Sequence, residues 1–219
     1  FKQYDESFKM PLEDYLAGNI DDINIENQDL YNDNIVFMFY KNSIGKKLPG
    51  KGQGEKIGKK NMSDFNTLHS YNNWRQKLDN TWSDNILNID GKKWKSVEHY
   101  YQANKFFKNN REFYNLFSLD SDSKIANNVD LAIKAGSDNP YYKDELLRAD
   151  HIKIDNKFKL NESKILEKAL FTKFSNDPEL KNILIKTGNA KLMRFNKGKR
   201  PRLEIELMKL RKILNKQSI

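Results

Sequence analysis

The sequence contains no cysteine among its 219 residues. Disulfide bonds, thiolate zinc sites and a cysteine nucleophile are therefore excluded. The three histidines, His69, His99 and His151, have no metal-ligand spacing, so we predict neither a metal nor a cofactor. No apolar run approaches the roughly 20 residues of a membrane span, and there is no signal-peptide pattern. We therefore expect a soluble intracellular protein, cytoplasmic or nuclear, that does not associate with membranes.

Acidic residues are fewer than basic ones, with 30 Asp and Glu against 39 Lys and Arg and a net charge of +9. This balance favours an anionic partner, either nucleic acid or a phosphorylated small molecule. The length suits one domain with a sizeable core, and the chain has neither internal repeats nor a low-complexity linker. We predict a mainly α fold with a few short β-strands in a single compact domain, residues 35–219. An acidic N-terminal extension, residues 1–34, precedes it.

The segment from Ser96 to Phe107 combines polar and aromatic residues in an unusual proportion. Read as a helix, it places Glu98, Gln102 and Lys105 on one narrow line, at i, i+4 and i+7. Tyr101 flanks that line on one side, and His99 and Phe106 flank it on the other. Tyr100, Ala103 and Phe107 occupy the face predicted to meet the core. A thin polar line between aromatic walls suggests the lining of a pocket. The alternative is a helix whose charged residues are simply solvated, since charged residues are seldom fully buried.

The remaining elements follow from apolar periodicity, caps and turn residues. Strands are predicted at residues 35–40 and 190–195, and a β-hairpin with an Asp-Gly turn at residues 86–94. Helices are predicted at residues 11–17, 65–78, 113–117, 125–135, 162–174, 178–188 and 202–214, with a short helical turn at 141–147. Ser96 is the expected N-cap of the aromatic helix, which places Glu98 in its first turn.

A Gly- and Lys-rich loop at about residues 45–62 interrupts this pattern. The spacing from Gly45 to Gly50 and Lys51 imitates a P-loop, but Gly52 stands where a Ser or Thr should bind magnesium. No helical pattern follows to complete a phosphate cradle, which argues against ATP binding. Two alternatives stay open: a flexible basic loop near an anionic ligand, or a plain solvated loop.

Several motifs, in the right order, resemble the NADAR family, the YbiA-like N-glycosidases. The main one is DGKKWKSVEHYYQANKF at residues 90–106; the others are Phe39-Tyr40, Leu78-Asp79-Asn80, Arg148-Ala149-Asp150, and Lys173-Phe174 followed by Leu180, Leu184 and Thr187-Gly188. The similarity covers roughly residues 35–195, with the basic loop as an insertion. The sequence departs from the family at His151, where Trp is frequent, and at Asn196-Lys197-Gly198, where Trp-Gly is frequent. Both differences concern substrate preference.

The resemblance implies a YbiA-like fold and hydrolysis of an N-glycosidic bond between a ribose and a nitrogen. Two substrate classes are associated with the family: ADP-ribose attached to a base such as guanine in nucleic acid, and phosphorylated ribosyl-pyrimidine intermediates of riboflavin synthesis. We expect the first, with an ADP-ribose-containing ligand or ADP-ribosylated nucleic acid as partner. The alternative from another class is a binding module that holds ADP-ribose or nucleic acid without turnover.

The resemblance also implies roles for individual residues. Lys105 is the position that matches the family's covalent lysine, which forms a Schiff base with a sugar opened to its aldehyde. Glu98 would stabilise positive charge at the anomeric carbon or help to transfer a proton, and Gln102 would orient sugar hydroxyls. The other expected substrate-binding residues are Tyr40, Asn80, Trp82, Trp94, His99, Tyr101, Arg148 and Asp150.

Structural roles remain open for four of these residues. Trp82 and Trp94 could be core residues instead of surfaces on which a base stacks. Asp150 could serve only as an ion-pair partner of Arg148, and His99 could be a packed helix residue.

Overall fold

The computed structural model describes residues 30–43 and 47–216. The helix predicted at residues 11–17, most of the predicted extension, and Gly45 of the P-loop-like spacing lie outside these residues. The strands of the described part are β1 (Asn32–Phe39), β2 (Leu87–Ile89), β3 (Lys92–Trp94), β4 (Tyr141–Tyr142), β5 (Glu145–Leu146), β6 (Ala190–Arg194) and β7 (Arg202–Leu203). Its α-helices are α1 (Trp74–Leu78), α2 (Val97–Asn104), α3 (Arg111–Asn115), α4 (Lys124–Asn127), α5 (Val129–Ala135), α6 (Phe158–Ser175), α7 (Pro178–Lys186) and α8 (Ile205–Lys216), and two 3₁₀ helices span Lys59–Ser70 and Leu119–Ser121. The predicted fold class, mainly helical with a few short strands, is confirmed.

The largest sheet of the described residues has the strand order β1-β6-β7. β1 and β6 run parallel, with Phe39 opposite Arg194, and β7 pairs antiparallel with β6. Side chains alternate between the two faces of a strand. Phe37 and Phe39 are buried, whereas Met38 between them is only partly buried. One face of the sheet therefore meets the core, and the two strands predicted here are confirmed.

The hairpin of β2 and β3 leads directly into α2. Its turn residues, Asp90 and Gly91, have φ angles of 55° and 69°, the left-handed conformation that a type I′ turn requires at both positions. The Ser96 side chain then accepts a hydrogen bond from the backbone N–H of His99, which caps α2. The predicted hairpin and N-cap are confirmed. Together they fix where the aromatic helix begins.

The aromatic helix ends earlier than the sequence pattern predicts. α2 stops at Asn104, and the backbone N–H of Phe106 bonds to the carbonyl of Ala103, three residues back. This tighter turn rotates the chain by about 120° per residue instead of 100°. The prediction that Phe107 faces the core is therefore wrong, because its side chain is 38% exposed. Phe106 is fully buried instead, with its ring 4.7 Å from that of Phe113.

Two predicted helices are divided at asparagines. The helix predicted at residues 65–78 is a 3₁₀ helix followed by α1, separated at Asn73, whose φ of 56° is left-handed. The helix predicted at residues 125–135 is divided into α4 and α5 at Asn128. The side chain of Asn128 accepts a hydrogen bond from the N–H of Asp130 and so caps α5. Asparagine suits both positions, since it tolerates the left-handed region and competes for backbone N–H groups.

The short helical turn predicted at residues 141–147 is wrong. This segment is a small hairpin in which Tyr141 pairs with Leu146. Its turn residues, Lys143 and Asp144, have φ angles of 47° and 65°. Positive φ at two consecutive residues is incompatible with a right-handed helix and matches a type I′ hairpin turn.

Helices α6, α7 and α8 pack together and against the sheet and α2. Asp177 caps α7 and Pro178 occupies its first turn, as the sequence predicts. The buried apolar side chains of the described residues form one cluster that includes both the sheet and the helices, consistent with a single domain. Among residues 30–43 and 47–216, no helix is long and apolar enough to span a bilayer.

The described part of the Gly- and Lys-rich loop is organised around Glu55. Its carboxylate accepts hydrogen bonds from the backbone N–H groups of Gly50 and Gly52, at 3.0 and 2.9 Å. The same carboxylate accepts two hydrogen bonds, each of 2.7 Å, from the buried guanidinium of Arg75. The backbone donors that resembled a phosphate cradle thus bind a carboxylate of the protein itself.

Candidate active site

Glu98 and Gln102 lie on α2 and are both buried, with 5% and 6% of their surface exposed. Four residues apart on a helix, they face each other, and Gln102 Nε2 donates a hydrogen bond of 2.6 Å to Glu98 Oε1. The backbone N–H of Glu98 donates to the carbonyl of Asn80, at 2.9 Å. These contacts rule out the solvated alternative for Glu98 and Gln102.

Arg194, the last residue of β6, joins two buried carboxylates. Its Nη2 lies 3.4 Å from Glu98 Oε2, and its Nε lies 3.1 Å from Asp79 Oδ2. Burial alone would lower the pKa of Arg194, but the carboxylates of Glu98 and Asp79 outweigh burial and raise it above the ordinary arginine value. Glu98 therefore has a fixed cation beside it. Sequence reasoning missed Arg194, although a charged residue on the inward face of an apolar strand is a recognisable signal.

Lys105 follows α2 immediately. Its Nζ donates a hydrogen bond of 2.8 Å to the carbonyl of Gly136, and it lies 5.3 Å from the centre of the Tyr101 ring and 6.0 Å from that of Phe158. Burial lowers the pKa of the Lys105 amine, while the more distant carboxylate of Glu98 opposes that shift. Its lowered pKa means that more of the Lys105 amine is neutral at a given pH than for a free lysine, and the residue lies just past the C-terminal end of α2.

Tyr101 forms one wall beside this amine. Its ring meets that of Phe158 edge to face, with centroids 5.3 Å apart, and its hydroxyl donates a hydrogen bond of 2.5 Å to Glu162 Oε1. Burial and this carboxylate raise the pKa of Tyr101, so the phenol stays protonated at neutral pH. Phe158 and Glu162 come from the first half of α6, and neither was predicted from the sequence.

The end of α5 contributes two carbonyls that each bind a cation. Gly136 O accepts from Lys105, and Ala135 O accepts a hydrogen bond of 3.0 Å from Arg148 Nη1. Carbonyls at a helix C-terminus carry partial negative charge, which favours both contacts. Burial lowers the pKa of the Arg148 guanidinium, and nearby Asp138 opposes the shift. Arg148 and Lys105 thus bond to the carbonyls of two consecutive residues.

A second buried amine belongs to Lys173 on α6, with only 2% of the residue exposed. Its Nζ donates a hydrogen bond of 2.7 Å to the backbone carbonyl of Asp79. Burial lowers the pKa of Lys173 to about 7, with the Asp79 carboxylate opposing. Its burial leaves little room for a substrate to reach it.

Two of the predicted substrate-binding residues lie in the core. Trp94 is fully buried, and its Nε1 donates a hydrogen bond of 3.0 Å to the carbonyl of Ile89. His99 is fully buried, with its Nδ1 2.8 Å from the hydroxyl oxygen of Ser96. Burial, assisted by the charge of Lys95, lowers the pKa of His99 to about 4. Trp94 and His99 are therefore packed core residues, which was the alternative to substrate binding for each of them.

Other predicted residues lie at different positions around the site. Asn80 is buried beside Glu98, whereas Asp150 is exposed and forms no ion pair with Arg148 or any other described residue. Trp82 is partly buried, and Lys77 Nζ lies 5.6 Å from its ring centre. Tyr40 extends from the end of β1 into a separate cleft on the outer face of the sheet.

The cluster as a whole offers three chemical groups close together: a carboxylate with a fixed cation, an amide, and an amine that burial biases toward its neutral form. The first can stabilise developing positive charge, the second can orient hydroxyls, and the third is a nucleophile. No group of three or more His, Asp or Glu side chains within residues 30–43 and 47–216 is arranged to hold a metal ion.

Comparison with known proteins places these residues in a described family. The family model for the NADAR domain matches residues 60–198, which include Glu98, Gln102 and Lys105. A search of curated proteins gave no match. Among solved structures, the NMR structure of the E. coli protein YbiA is similar, with 19% identity, coverage of 84% of this chain and 85% of that one, and a TM-score of 0.46.

Proposed function

The chain belongs to the NADAR family, and we propose that it is an N-glycosidase that removes ADP-ribose from ADP-ribosylated guanine in nucleic acid. The family is associated with hydrolysis of N-glycosyl bonds. The finer assignment of substrate and of a lysine Schiff-base intermediate is our proposal. The net charge of +9 supports a polyanionic substrate.

The observation that carries the proposal is the environment of Lys105. Its side chain is partly buried, its amine is bonded to Gly136 O at 2.8 Å, and burial lowers the pKa of that amine. A lysine attacks a carbonyl-type carbon only when its amine is neutral, so desolvation of this kind activates it. Lys173 has a similar shift, but its amine is enclosed against Asp79 in the core.

In the proposed reaction, the ribose ring first opens: the bond between the anomeric carbon and the ring oxygen breaks, the oxygen takes up a proton, and a double bond forms between that carbon and the base nitrogen. The neutral Lys105 amine then adds to the anomeric carbon and gives up a proton, while the electrons of that double bond return to the base nitrogen. The bond between that carbon and the base nitrogen breaks, and the base leaves with the electron pair and takes up a proton. The remaining carbon–nitrogen double bond to Lys105 is a Schiff base. One water then adds to its carbon, the amine leaves, and ADP-ribose is released, so that one water is consumed for each bond cleaved.

The neighbours of Lys105 have distinct roles in this scheme. Glu98, which lies beside Arg194, stabilises positive charge at the anomeric carbon, and Gln102 orients the sugar hydroxyls. Tyr101 forms the wall next to the amine. Arg148 supplies positive charge for the diphosphate.

Trapping with a borohydride reductant tests the proposal, because it converts the Schiff base into a stable amine. The protein is incubated with ADP-ribosylated guanine DNA and the reductant, and the adduct is located by mass spectrometry of peptides. We expect the adduct on Lys105, none with Lys105→Ala, and a normal yield with Lys108→Ala, the matched exposed lysine three residues later. An adduct on Lys173, or normal ADP-ribose release by Lys105→Ala, would show that the lysine assignment is wrong.

A substrate panel tests the substrate class separately. ADP-ribosylated DNA is compared with phosphoribosyl-pyrimidine intermediates of riboflavin synthesis under single-turnover conditions. We expect faster release of base from the DNA. Faster cleavage of the pyrimidine nucleotides would show that they, and not ADP-ribosylated DNA, are the substrate. Calorimetric binding of ADP-ribose without any cleavage would identify a binding module.

A further inference from the structure

Two aromatic side chains stand together at the carboxyl ends of the parallel strands β1 and β6. Tyr40 follows β1 and Phe195 follows β6; their ring centroids lie 5.3 Å apart at an angle of 61°. They are 37% and 41% exposed, although aromatic side chains of this size usually bury more of their surface. Because Phe39 faces the core, Tyr40 and Phe195 belong to the opposite, outer face of the sheet.

The described part of the Gly- and Lys-rich loop turns this outer face into a cleft. Lys47, Gly52, Gln53 and Gly54 form one side, and the cleft has a volume of about 310 Å³. That volume is near the lower limit for small-molecule sites and suits one flat ring system. Gly54 approaches the sheet so closely that a β-carbon on it would lie 3.1 Å from Met38 Cε.

The loop is held in this position by the buried ion pair of Arg75 and Glu55. In addition to its two hydrogen bonds to Glu55, Arg75 donates to the backbone carbonyls of Lys47 and Leu48, at 2.8 and 3.0 Å. The side of the cleft formed by the loop is therefore held in place by buried hydrogen bonds to the rest of the fold.

Exposed basic side chains lie on the two segments that border the cleft, and one of them, Lys47, lines it. On the loop they are Lys47, Lys51 and Lys56, and on the segment between β6 and β7 they are Lys197, Lys199 and Arg200. None of these six forms an ion pair with another described residue. An aromatic surface bordered by two segments that carry unpaired basic side chains is complementary to a base flanked by phosphates.

We propose that this cleft binds an unpaired base of single-stranded nucleic acid, which stacks on Tyr40 and Phe195 while the flanking lysines and Arg200 contact phosphates. In a duplex the faces of each base are covered by its neighbours, so the cleft selects a strand whose bases are unstacked. The proposal deepens the proposed function and rests on it for one point, that the bound strand is substrate. Arg194, which contacts Glu98, immediately precedes Phe195, so one strand could reach both the cleft and the candidate active site across the end of the sheet.

The first test measures binding of unmodified oligonucleotides by fluorescence anisotropy with the full chain, and so does not depend on catalysis. We expect Phe195→Ala to weaken binding of a single-stranded oligonucleotide about 5- to 100-fold, the range for removal of one aromatic ring on which a base stacks. Phe195→Tyr keeps the ring and should bind as the unaltered protein does. Arms with DNA and with RNA of the same sequence identify which strand the cleft prefers.

The second test concerns charge. In the triple variant Lys197→Gln, Lys199→Gln and Arg200→Gln, the dependence of log affinity on log salt should become shallower, by about 0.7 for each phosphate that the protein no longer neutralises. The matched control replaces three exposed lysines elsewhere, Lys108, Lys153 and Lys164, with Gln, and should leave the slope unchanged. Equal slopes for the two triple variants would overturn the proposed binding of phosphates by this segment.

A third measurement separates this inference from the proposed function. With ADP-ribosylated substrates, Phe195→Ala should raise KM for a modified oligonucleotide with little change in kcat, and leave KM for the modified mononucleotide unchanged. Absence of base release from both substrates would contradict the proposed function and leave the binding tests intact. The inference itself is overturned if Phe195→Ala binds single strands normally, or if duplex DNA binds as tightly as single strands do.

Discussion

Gly136 and Gln102 lie so close together that a β-carbon built on Gly136 would stand 2.0 Å from Gln102 Oε1. The φ angle of Gly136 is −88°, which any residue can adopt, so lack of space and not backbone conformation requires glycine here. The carbonyl of the same residue accepts the hydrogen bond from Lys105 Nζ. One glycine thus determines the positions of both the amide and the amine of the candidate active site.

We expect Gly136→Ala to slow catalysis strongly. The added methyl group must displace the Gln102 amide and break its hydrogen bond to Glu98, which is 2.6 Å long. A hydrogen bond to a charged group contributes about 1.5–3 kcal/mol, so the single-turnover rate of ADP-ribose release should fall about 10- to 100-fold. Gly58→Ala is the matched control, because a β-carbon there would meet only Asn61 Oδ1 at 3.7 Å. A normal rate with Gly136→Ala would contradict the role of the hydrogen bond between Glu98 and Gln102.

The pH dependence of Schiff-base formation should respond to charges around Lys105. Burial lowers the pKa of the amine; among the nearby charges, Lys159 also lowers it and Asp138 raises it. The trapping rate rises with pH as the amine loses its proton, and the midpoint of this rise follows the Lys105 pKa. Lys159→Gln should therefore move the midpoint to higher pH, and Asp138→Asn should move it to lower pH. Borohydride trapping over a series of pH values measures both shifts.

Opposite directions of the two shifts are the decisive feature of that experiment. Both variants are changes at or near the surface, so a general loss of stability or of substrate affinity would alter amplitudes and leave the midpoint in place. A shift in the same direction for both, or no shift for either, would mean that another group controls the pH dependence.

The part of the site on α2 could be predicted from the sequence because it rests on local rules. The Ser96 cap fixes the start of the helix, and spacing by four residues brings Glu98 and Gln102 together. The same spacing predicts Lys105 on this line, but the helix ends before it, and its amine turns to Gly136 instead. Local periodicity cannot report where packing stops a helix.

The rest of the site comes from segments far away in sequence. Arg194 reaches Glu98 only because β6 pairs with β1, and Glu162 meets Tyr101 only because α6 packs on α2. No pattern within either segment specifies its partner. The Gly- and Lys-rich loop is similar: its glycine spacing suggested a phosphate cradle, and only the fold shows that Glu55 fills it.

Removing Arg194 should destabilise the protein. In Arg194→Met the carboxylates of Glu98 and Asp79 stay buried without their shared cation, and breaking a buried ion pair in this way costs about 3 kcal/mol. Arg202→Met is the control, since that side chain is 41% exposed and its ion pairs are 3.6 and 3.9 Å long, for which we expect a loss below about 1 kcal/mol. The free energy of unfolding in urea measures both.

A double variant identifies the cause of the Arg194 effect. If the cost comes from unpaired carboxylates, Asp79→Asn should destabilise the Arg194→Met protein much less than it destabilises the unaltered one. Additive losses would instead indicate that Arg194 stabilises the fold by packing alone.

Glu204 gives the stability of the protein a definite dependence on pH. It is 4% exposed, and its Oε1 has no hydrogen-bond partner among the described residues. Burial raises the pKa of Glu204 from 4.5 to about 7, with Arg202 and Arg194 opposing. The folded state therefore holds this proton more tightly than the unfolded state does. Its contribution to stability is complete below about pH 4.5 and is lost as pH rises through 7.

The variant Glu204→Gln should remove this dependence. A pKa difference of this size corresponds to about 3 kcal/mol. Glu204 should therefore lower the free energy of unfolding of the unaltered protein by about that amount as pH rises from 4.5 to 7. Urea unfolding at several pH values should show that component missing in Glu204→Gln and retained in Glu112→Gln, where the side chain is exposed. If Glu204→Gln keeps the same pH dependence, the carboxyl must ionise near its ordinary pKa, because Arg194 and Arg202 would then compensate fully for its burial.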